Sequence, residues 1–169
     1  MKKNVFIING RGGVGKDTIC EIASRIYKVR NISSITPIVK IARFAGWDGT
    51  KTLAARKMLS QLKEVFTEFN DLSFSYCNDQ YHEFLTTDED ILFIHIREPE
   101  EIDRLKRAIG EDCRTLLIRR DDPSQTIYGN RSDDSVEDYM YDLYFDNNAP
   151  LSELPEVVEN FLKKYVKTC

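Results

Sequence analysis

Short runs of apolar residues recur along the chain and predict the strands of a sheet. The segments 5–8, 91–96, 115–118 and 143–145 carry this pattern, and 33–35 is a weaker fifth candidate. Most of them are apolar at nearly every position, which is typical of strands covered on both faces. Because such sheets are mostly parallel, the pattern predicts a mostly parallel sheet of five strands.

Between these runs, apolar residues repeat every three or four positions, which is the spacing of one helix face. The pattern predicts helices after residue 18, from Pro37, over 51–69, from Pro99 and over 151–165. The helix over 51–69 carries the longest stripe, and we expect it in the core: Ala55, Met58, Leu59, Leu62, Val65, Phe66 and Phe69. Strands alternating with helices favour a doubly wound α/β fold, in which ligands bind beyond the C-terminal ends of the strands.

Length and composition favour one domain over residues 1–169, with helices on both faces of the sheet. No apolar run approaches the roughly 20 residues of a membrane span, and a strand follows the N-terminus directly, so we expect neither membrane anchor nor signal peptide. The cysteines are far apart along the chain, which indicates free thiols in the cytoplasm. The formal net charge of −4 argues against a nucleic-acid partner. The oligomeric state is left open.

A glycine-rich segment follows the first predicted strand and reads Gly-Arg-Gly-Gly-Val-Gly-Lys-Asp-Thr over residues 10–18. Gly10, Gly15 and Lys16 match the P-loop pattern G-x-x-x-x-G-K-[ST], in the expected strand–loop–helix context. In such loops backbone N–H groups and the helix N-terminus bind phosphate, and the lysine reaches the β- and γ-phosphates. The alternative is a turn that only caps a helix.

We therefore predict a three-layer α/β P-loop NTPase fold that binds a nucleoside triphosphate, ATP with Mg²⁺. The residues predicted to hold the nucleotide are Gly10, Gly12, Gly13, Val14, Gly15, Lys16, Asp17 and Thr18. Asp17 stands where the pattern has a hydroxyl that ligates Mg²⁺. A carboxylate also binds Mg²⁺, directly or through water, so Asp17 is the predicted metal ligand.

Gly-Lys-Asp-Thr at 15–18 resembles the loop of the phage deoxynucleoside monophosphate kinases, and Gly-Lys-Asp is shared with the animal-type phosphomevalonate kinases. Other segments that look similar to the phage kinases are Thr36-Pro37-Ile38 through Ala45-Gly46-Trp47, Arg56-Lys57-Met58-Leu59, Ile96-Arg97-Glu98, and Asp146-Asn147-Asn148 with Leu151-Ser152-Glu153-Leu154. The similarity is scattered over most of the chain, and the loop is its specific part. It implies ATP-dependent phosphorylation of a nucleoside monophosphate or a similar small phosphate.

One position departs from this resemblance. His95 stands where the family has an aspartate that helps to hold Mg²⁺. A neutral imidazole suits Mg²⁺ poorly, so we expect His95 to be a core or supporting residue. Glu98, just past the same strand, is the candidate to replace that aspartate through water.

Phosphoryl transfer to a phosphorylated acceptor needs cations at the strand ends. Arg97, after the strand over 91–96, is predicted to hold the acceptor phosphate and to assist transfer, with Arg56 as a second acceptor-binding residue. Arg119 is predicted to bind the nucleotide. Arg131 is a predicted catalytic cation within a lid over residues 121–134. For each arginine a surface salt bridge is the alternative.

Two classes of function follow. The first is a phosphotransferase, which the arginines beyond the strands favour. The second is a nucleotide-binding regulatory protein or slow ATPase without a small-molecule acceptor, which the missing acid at position 95 favours.

Overall fold

The computed structural model describes residues 2–121 and 136–167. Its sheet contains five strands: β1 Asn4–Asn9, β2 Val29–Ser33, β3 Ile91–His95, β4 Cys113–Arg119 and β5 Leu143–Asp146. They lie in the order β2-β3-β1-β4-β5, and every neighbouring pair is parallel. All six residues of the central strand β1 are buried, as expected of a strand covered on both faces. The predicted five-stranded parallel sheet is confirmed.

Helices cover both faces of the sheet and form three layers with it. They are α1 Lys16–Ser24, α2 Thr36–Phe44, α3 Leu53–Asn70, α4 Leu72–Thr86, α5 Pro99–Ile109 and α6 Leu154–Tyr165. On one face, α1 and α6 bury Ile19 and Val158 against the sheet. On the other, α4 and α5 bury Phe84 and Ile102. No helix within the described ranges is long and apolar enough to cross a membrane.

The prediction that the long apolar stripe lies in the core is wrong for most of its length. On α3, Ala55 is buried, but Val65 is 58% exposed and Phe69 is 77% exposed. The helix packs on α2 and α4, and α4 packs on β2 and β3. Because α4 lies between α3 and the sheet, α3 is an outer helix. Its apolar face therefore does not pack against the core of the sheet.

Candidate active site

The phosphate loop leaves β1 at its C-terminal end and passes directly into α1. Gly10 has φ 154° and Gly15 has φ 91°, conformations that residues with a Cβ rarely adopt. Space is also restricted, because a Cβ on Gly10 would lie 2.5 Å from the carbonyl oxygen of Ile118 in β4. These glycines therefore let the loop pass close against the end of the neighbouring strand.

Asn147, just after β5, fixes the second half of the loop. Its side chain is 5% exposed, and Nδ2 donates to the carbonyl oxygen of Val14 at 2.8 Å. A Cβ on Gly15 would lie 2.5 Å from the same Nδ2 atom. The position of the Asn147 side chain therefore requires a residue without a Cβ at position 15.

The start of α1 presents backbone donors toward the inside of the loop. The N–H of Ile19 donates to the carbonyl oxygen of Gly15 at 3.0 Å, and the N–H groups that precede it belong to the first turn, where intrahelical acceptors are lacking. Lys16 Nζ donates to the carbonyl oxygens of Gly10 at 2.5 Å and Arg11 at 2.9 Å. The lysine ammonium therefore lies over the loop, together with the positive end of the helix dipole.

Asn9, the last residue of β1, links the loop to two other elements. Its side chain is 1% exposed, and Oδ1 accepts the N–H of Gly10 at 2.8 Å. Its Nδ2 donates to the carbonyl oxygen of Arg97 at 3.1 Å and to the hydroxyl of Tyr141 at 2.8 Å. One amide thus connects the phosphate loop with Arg97, the second residue after β3. The sequence signal for this role is a polar residue that ends an otherwise apolar strand.

His95 lies at the end of β3, between the loop and β2. Its Nε2 lies 2.8 Å from Asn31 Oδ1 and 3.8 Å from Cys20 Sγ. Burial lowers the pKa of His95 to about 4, even though the Asp17 carboxylate acts to raise it; Lys16 and Arg97 lower it further. The imidazole is therefore neutral at pH 7.

Glu98 is engaged elsewhere, which corrects the expectation that it replaces the missing aspartate. Its carboxylate and that of Glu101 each lie 2.8 Å from the Nζ of Lys63, whose side chain is 13% exposed. Burial raises the pKa of Glu98, but the Lys63 ammonium outweighs that effect and leaves it lowered. Glu98 therefore serves a buried ion cluster that ties α3 to the start of α5.

Asp17 remains the acidic residue suited to a metal beside the loop. It is exposed in the first turn of α1, and it raises the pKa of both Cys20 and His95, so its carboxylate lies near them. Among residues 2–121 and 136–167, no group of three or more His, Cys, Asp or Glu residues could hold a metal ion. A Mg²⁺ ion here would take its other oxygens from phosphates and water, which is how this ion is usually bound at nucleotide sites.

The predicted arginines lie in different surroundings. Arg97 is exposed and is the second residue after β3. Arg119 at the end of β4 pairs with Asp146, with Nε–Oδ1 2.7 Å and Nη2–Oδ2 3.0 Å, and its guanidinium lies 4.9 Å from the ring centre of Tyr144. Arg56 is exposed in the first turn of α3. Arg131, with nearly all of the predicted lid over 121–134, lies outside the described residues.

A groove of about 820 Å³ lies at the opposite edge of the sheet, where β4 and β5 begin. Its lining mixes acids and bases, and Lys106 within it is bonded to Asp142 at 2.6 and 2.7 Å. Parallel sheets bind ligands at the other edge, beyond the C-terminal strand ends. The phosphate loop at that edge is therefore the candidate site.

Comparison with solved structures identifies the fold. The chain is similar to a protein from Chloroflexus aurantiacus, at 8% identity and a TM-score of 0.58, covering 99% of this chain and 100% of that one. It is similar to a tunicamycin resistance protein from Deinococcus radiodurans, at 16% identity and a TM-score of 0.55, covering 99% and 98%. It is also similar to a shikimate kinase from Aquifex aeolicus, at 15% identity and a TM-score of 0.53, covering 94% of each chain.

No protein-family model and no curated protein sequence matches the chain. The strand order, the loop between β1 and α1 and these likenesses together make the fold an α/β P-loop NTPase fold, as predicted.

Proposed function

We propose that this protein is an ATP-dependent phosphotransferase whose acceptor is a nucleoside monophosphate or a similar small phosphorylated molecule. The observation that carries the proposal is the hydrogen bonding that joins Lys16 and Arg97 to the start of the phosphate loop: Lys16 Nζ donates to the carbonyl oxygen of Gly10, and the side chain of Asn9 bonds both the N–H of Gly10 and the carbonyl oxygen of Arg97. A cation facing each of two phosphates is what transfer between phosphates requires. The Gly-Lys-Asp-Thr resemblance supports the same acceptor class.

In the proposed reaction an oxygen of the acceptor phosphate attacks the γ-phosphorus, and the bond to the β–γ bridging oxygen breaks. The new phosphoanhydride forms and ADP leaves. The attacking oxygen is already ionised near neutral pH, so no side-chain nucleophile or base is needed. The protein supplies position and positive charge.

The proposal assigns the following roles to the residues of the site. The loop amides and Lys16 bind the β- and γ-phosphates, Arg97 holds the acceptor phosphate, and Arg56 assists it from α3. Arg119 borders the nucleotide beyond β4, and residues 121–134 form a lid that brings Arg131 to the triphosphate. Mg²⁺, when bound with the nucleotide, neutralises phosphate charge, and Asp17 is the residue that would hold it. Residues 1–169 act as one catalytic domain in this proposal.

The test is ATP turnover measured with and without a panel of nucleoside monophosphates. The expected result is strong stimulation by one acceptor, with formation of its diphosphate. Lys16→Ala is expected to abolish tight triphosphate binding in calorimetry while leaving the circular dichroism spectrum unchanged, because the lysine charge serves the phosphates. Equal ATP affinity in the wild type and Lys16→Ala would remove the loop from nucleotide binding.

A second function, a nucleotide-dependent regulatory protein or slow ATPase, is favoured by one observation. Position 95 carries a neutral imidazole and Glu98 is bound to Lys63, so a metal ion beside Asp17 would have no second acidic ligand from the end of β3 or the residues just after it. This function predicts slow hydrolysis that no monophosphate accelerates. The panel therefore separates the two functions directly.

A further inference from the structure

Four apolar residues of α3 form a continuous row that the fold leaves partly uncovered. These residues, here called the α3 strip, are Met58, Leu62, Val65 and Phe69. Met58 and Leu62 are half-buried, Val65 is 58% exposed and Phe69 is 77% exposed. Their spacing of four, three and four residues is the spacing of a seam between two packed helices.

The α3 strip differs from the single exposed apolar residues found on any protein surface. Its members lie on adjacent turns of one helix, and the ring of Phe69 meets that of half-buried Phe66 edge to face at 6.5 Å. Contiguous apolar rows of this kind are typical of contact surfaces.

Charged residues beside the α3 strip indicate what covers it. Lys57 lies in the first half of the helix, and Glu64 and Glu68 lie in the second half. All three are exposed, and none makes a hydrogen bond or ion pair within the described part of the chain. The helix face is thus positive near its start and negative near its end. A second copy of the same face brings opposite charges together only when it runs antiparallel.

We propose that the α3 strip is the interface of a symmetric dimer, in which α3 of a second copy of this chain packs antiparallel against it. A two-fold axis near the middle of the helix places Lys57 of each copy opposite Glu68 of the other. The same axis places Gln61 opposite Glu64. Such an interface is self-complementary, as two-fold symmetry requires. Parallel packing would instead set Lys57 against Lys57 and Glu68 against Glu68.

The first experiment measures the mass of the full chain by sedimentation equilibrium over about 1–100 µM. The expected result is a dimer that Val65→Glu with Phe69→Glu converts to a monomer, weakening association at least about a hundredfold. The matched control is Met140→Glu, because Met140 is 87% exposed but lies outside α3. A wild type that stays monomeric, or a dimer that survives the double substitution, overturns the proposal. A circular dichroism melt confirms that each variant is folded.

The second experiment tests the antiparallel orientation by exchanging charges. Lys57→Glu alone and Glu68→Lys alone should each weaken self-association, because each places like charges opposite one another. Mixing the two single variants should restore a dimer containing one copy of each, and the doubly exchanged variant should again dimerise with itself. If the mixture fails to form the mixed dimer, the antiparallel arrangement is refuted.

Discussion

The fit between Gly15 and Asn147 yields a quantitative prediction. Gly15→Ala places a methyl group 2.5 Å from Asn147 Nδ2, an atom already bonded to the carbonyl oxygen of Val14 at 2.8 Å. The substitution also forces alanine to adopt φ 91°. Two separable costs are therefore expected, one from backbone strain and one from displacing the buried amide.

The strain is about 1–2 kcal/mol for a residue with a Cβ in the left-handed region. Displacing Asn147 leaves buried polar groups unbonded, which costs about 1–3 kcal/mol. Gly15→Ala should thus lower the free energy of unfolding by about 2–5 kcal/mol. Gly13→Ala is the matched control, because Gly13 has φ 81° but nothing lies within 4 Å of its Cβ position. The free energy of unfolding of Gly13→Ala should fall only by the cost of backbone strain.

Urea unfolding followed by circular dichroism measures these differences, as shifts of the midpoint at a constant m value. Asn147→Ala should cost about 1–3 kcal/mol by itself. Adding Gly15→Ala to Asn147→Ala should then cost only the strain, so the pair should be non-additive by about 1–3 kcal/mol. Additive effects, or a Gly15→Ala variant no less stable than Gly13→Ala, would refute the proposed fit.

Three further outcomes are expected. The pKa of His95 is lowered from 6.5 to about 4, so the unfolded chain takes up a proton on His95 before the folded protein does. The free energy of unfolding should therefore be unaffected by His95 above pH 6.5 and should fall as the pH drops toward 4, by about 2 kcal/mol at pH 5. Urea unfolding at pH 7.5 and 5 should show this loss in the wild type and not in His95→Gln. Arg97→Ala should leave ATP affinity nearly unchanged and lower kcat/KM for the acceptor by on the order of 10², equivalent to about 2.7 kcal/mol; a parallel collapse of ATP binding would remove Arg97 from the acceptor site. Asp17→Ala should weaken ATP binding in calorimetry more with Mg²⁺ than without it, and an equal effect would limit Asp17 to stabilising the helix N-terminus.

The sheet could be predicted from the sequence because its strands are short and apolar on both faces. β2 was predicted at 33–35 but spans Val29–Ser33, since half-exposed residues give a weak strand signal. α4 was not predicted at all. Its buried positions include Ser73 and Cys77 beside Phe84, so its inner face does not read as an apolar stripe.

The error on α3 has a different cause. An apolar stripe records that one face of a helix avoids water, but it does not record which surface covers that face. Likewise, the loop was predictable because its glycines and Lys16 are contiguous. The contacts of Asn147 and Glu98 could not be predicted in this way, because their partners Val14 and Lys63 are distant in the sequence and come into contact with them only in the folded protein.

The side chain of Asn9 sets a limit on how this molecule can move. A carboxamide is a planar, rigid group, and its two ends hold the N–H of Gly10 and the carbonyl of Arg97 at once. The start of the phosphate loop and the backbone after β3 therefore form one stiff unit with a fixed span. In the proposed reaction, a closure that keeps these two hydrogen bonds leaves that span unchanged, so its hinges lie outside it.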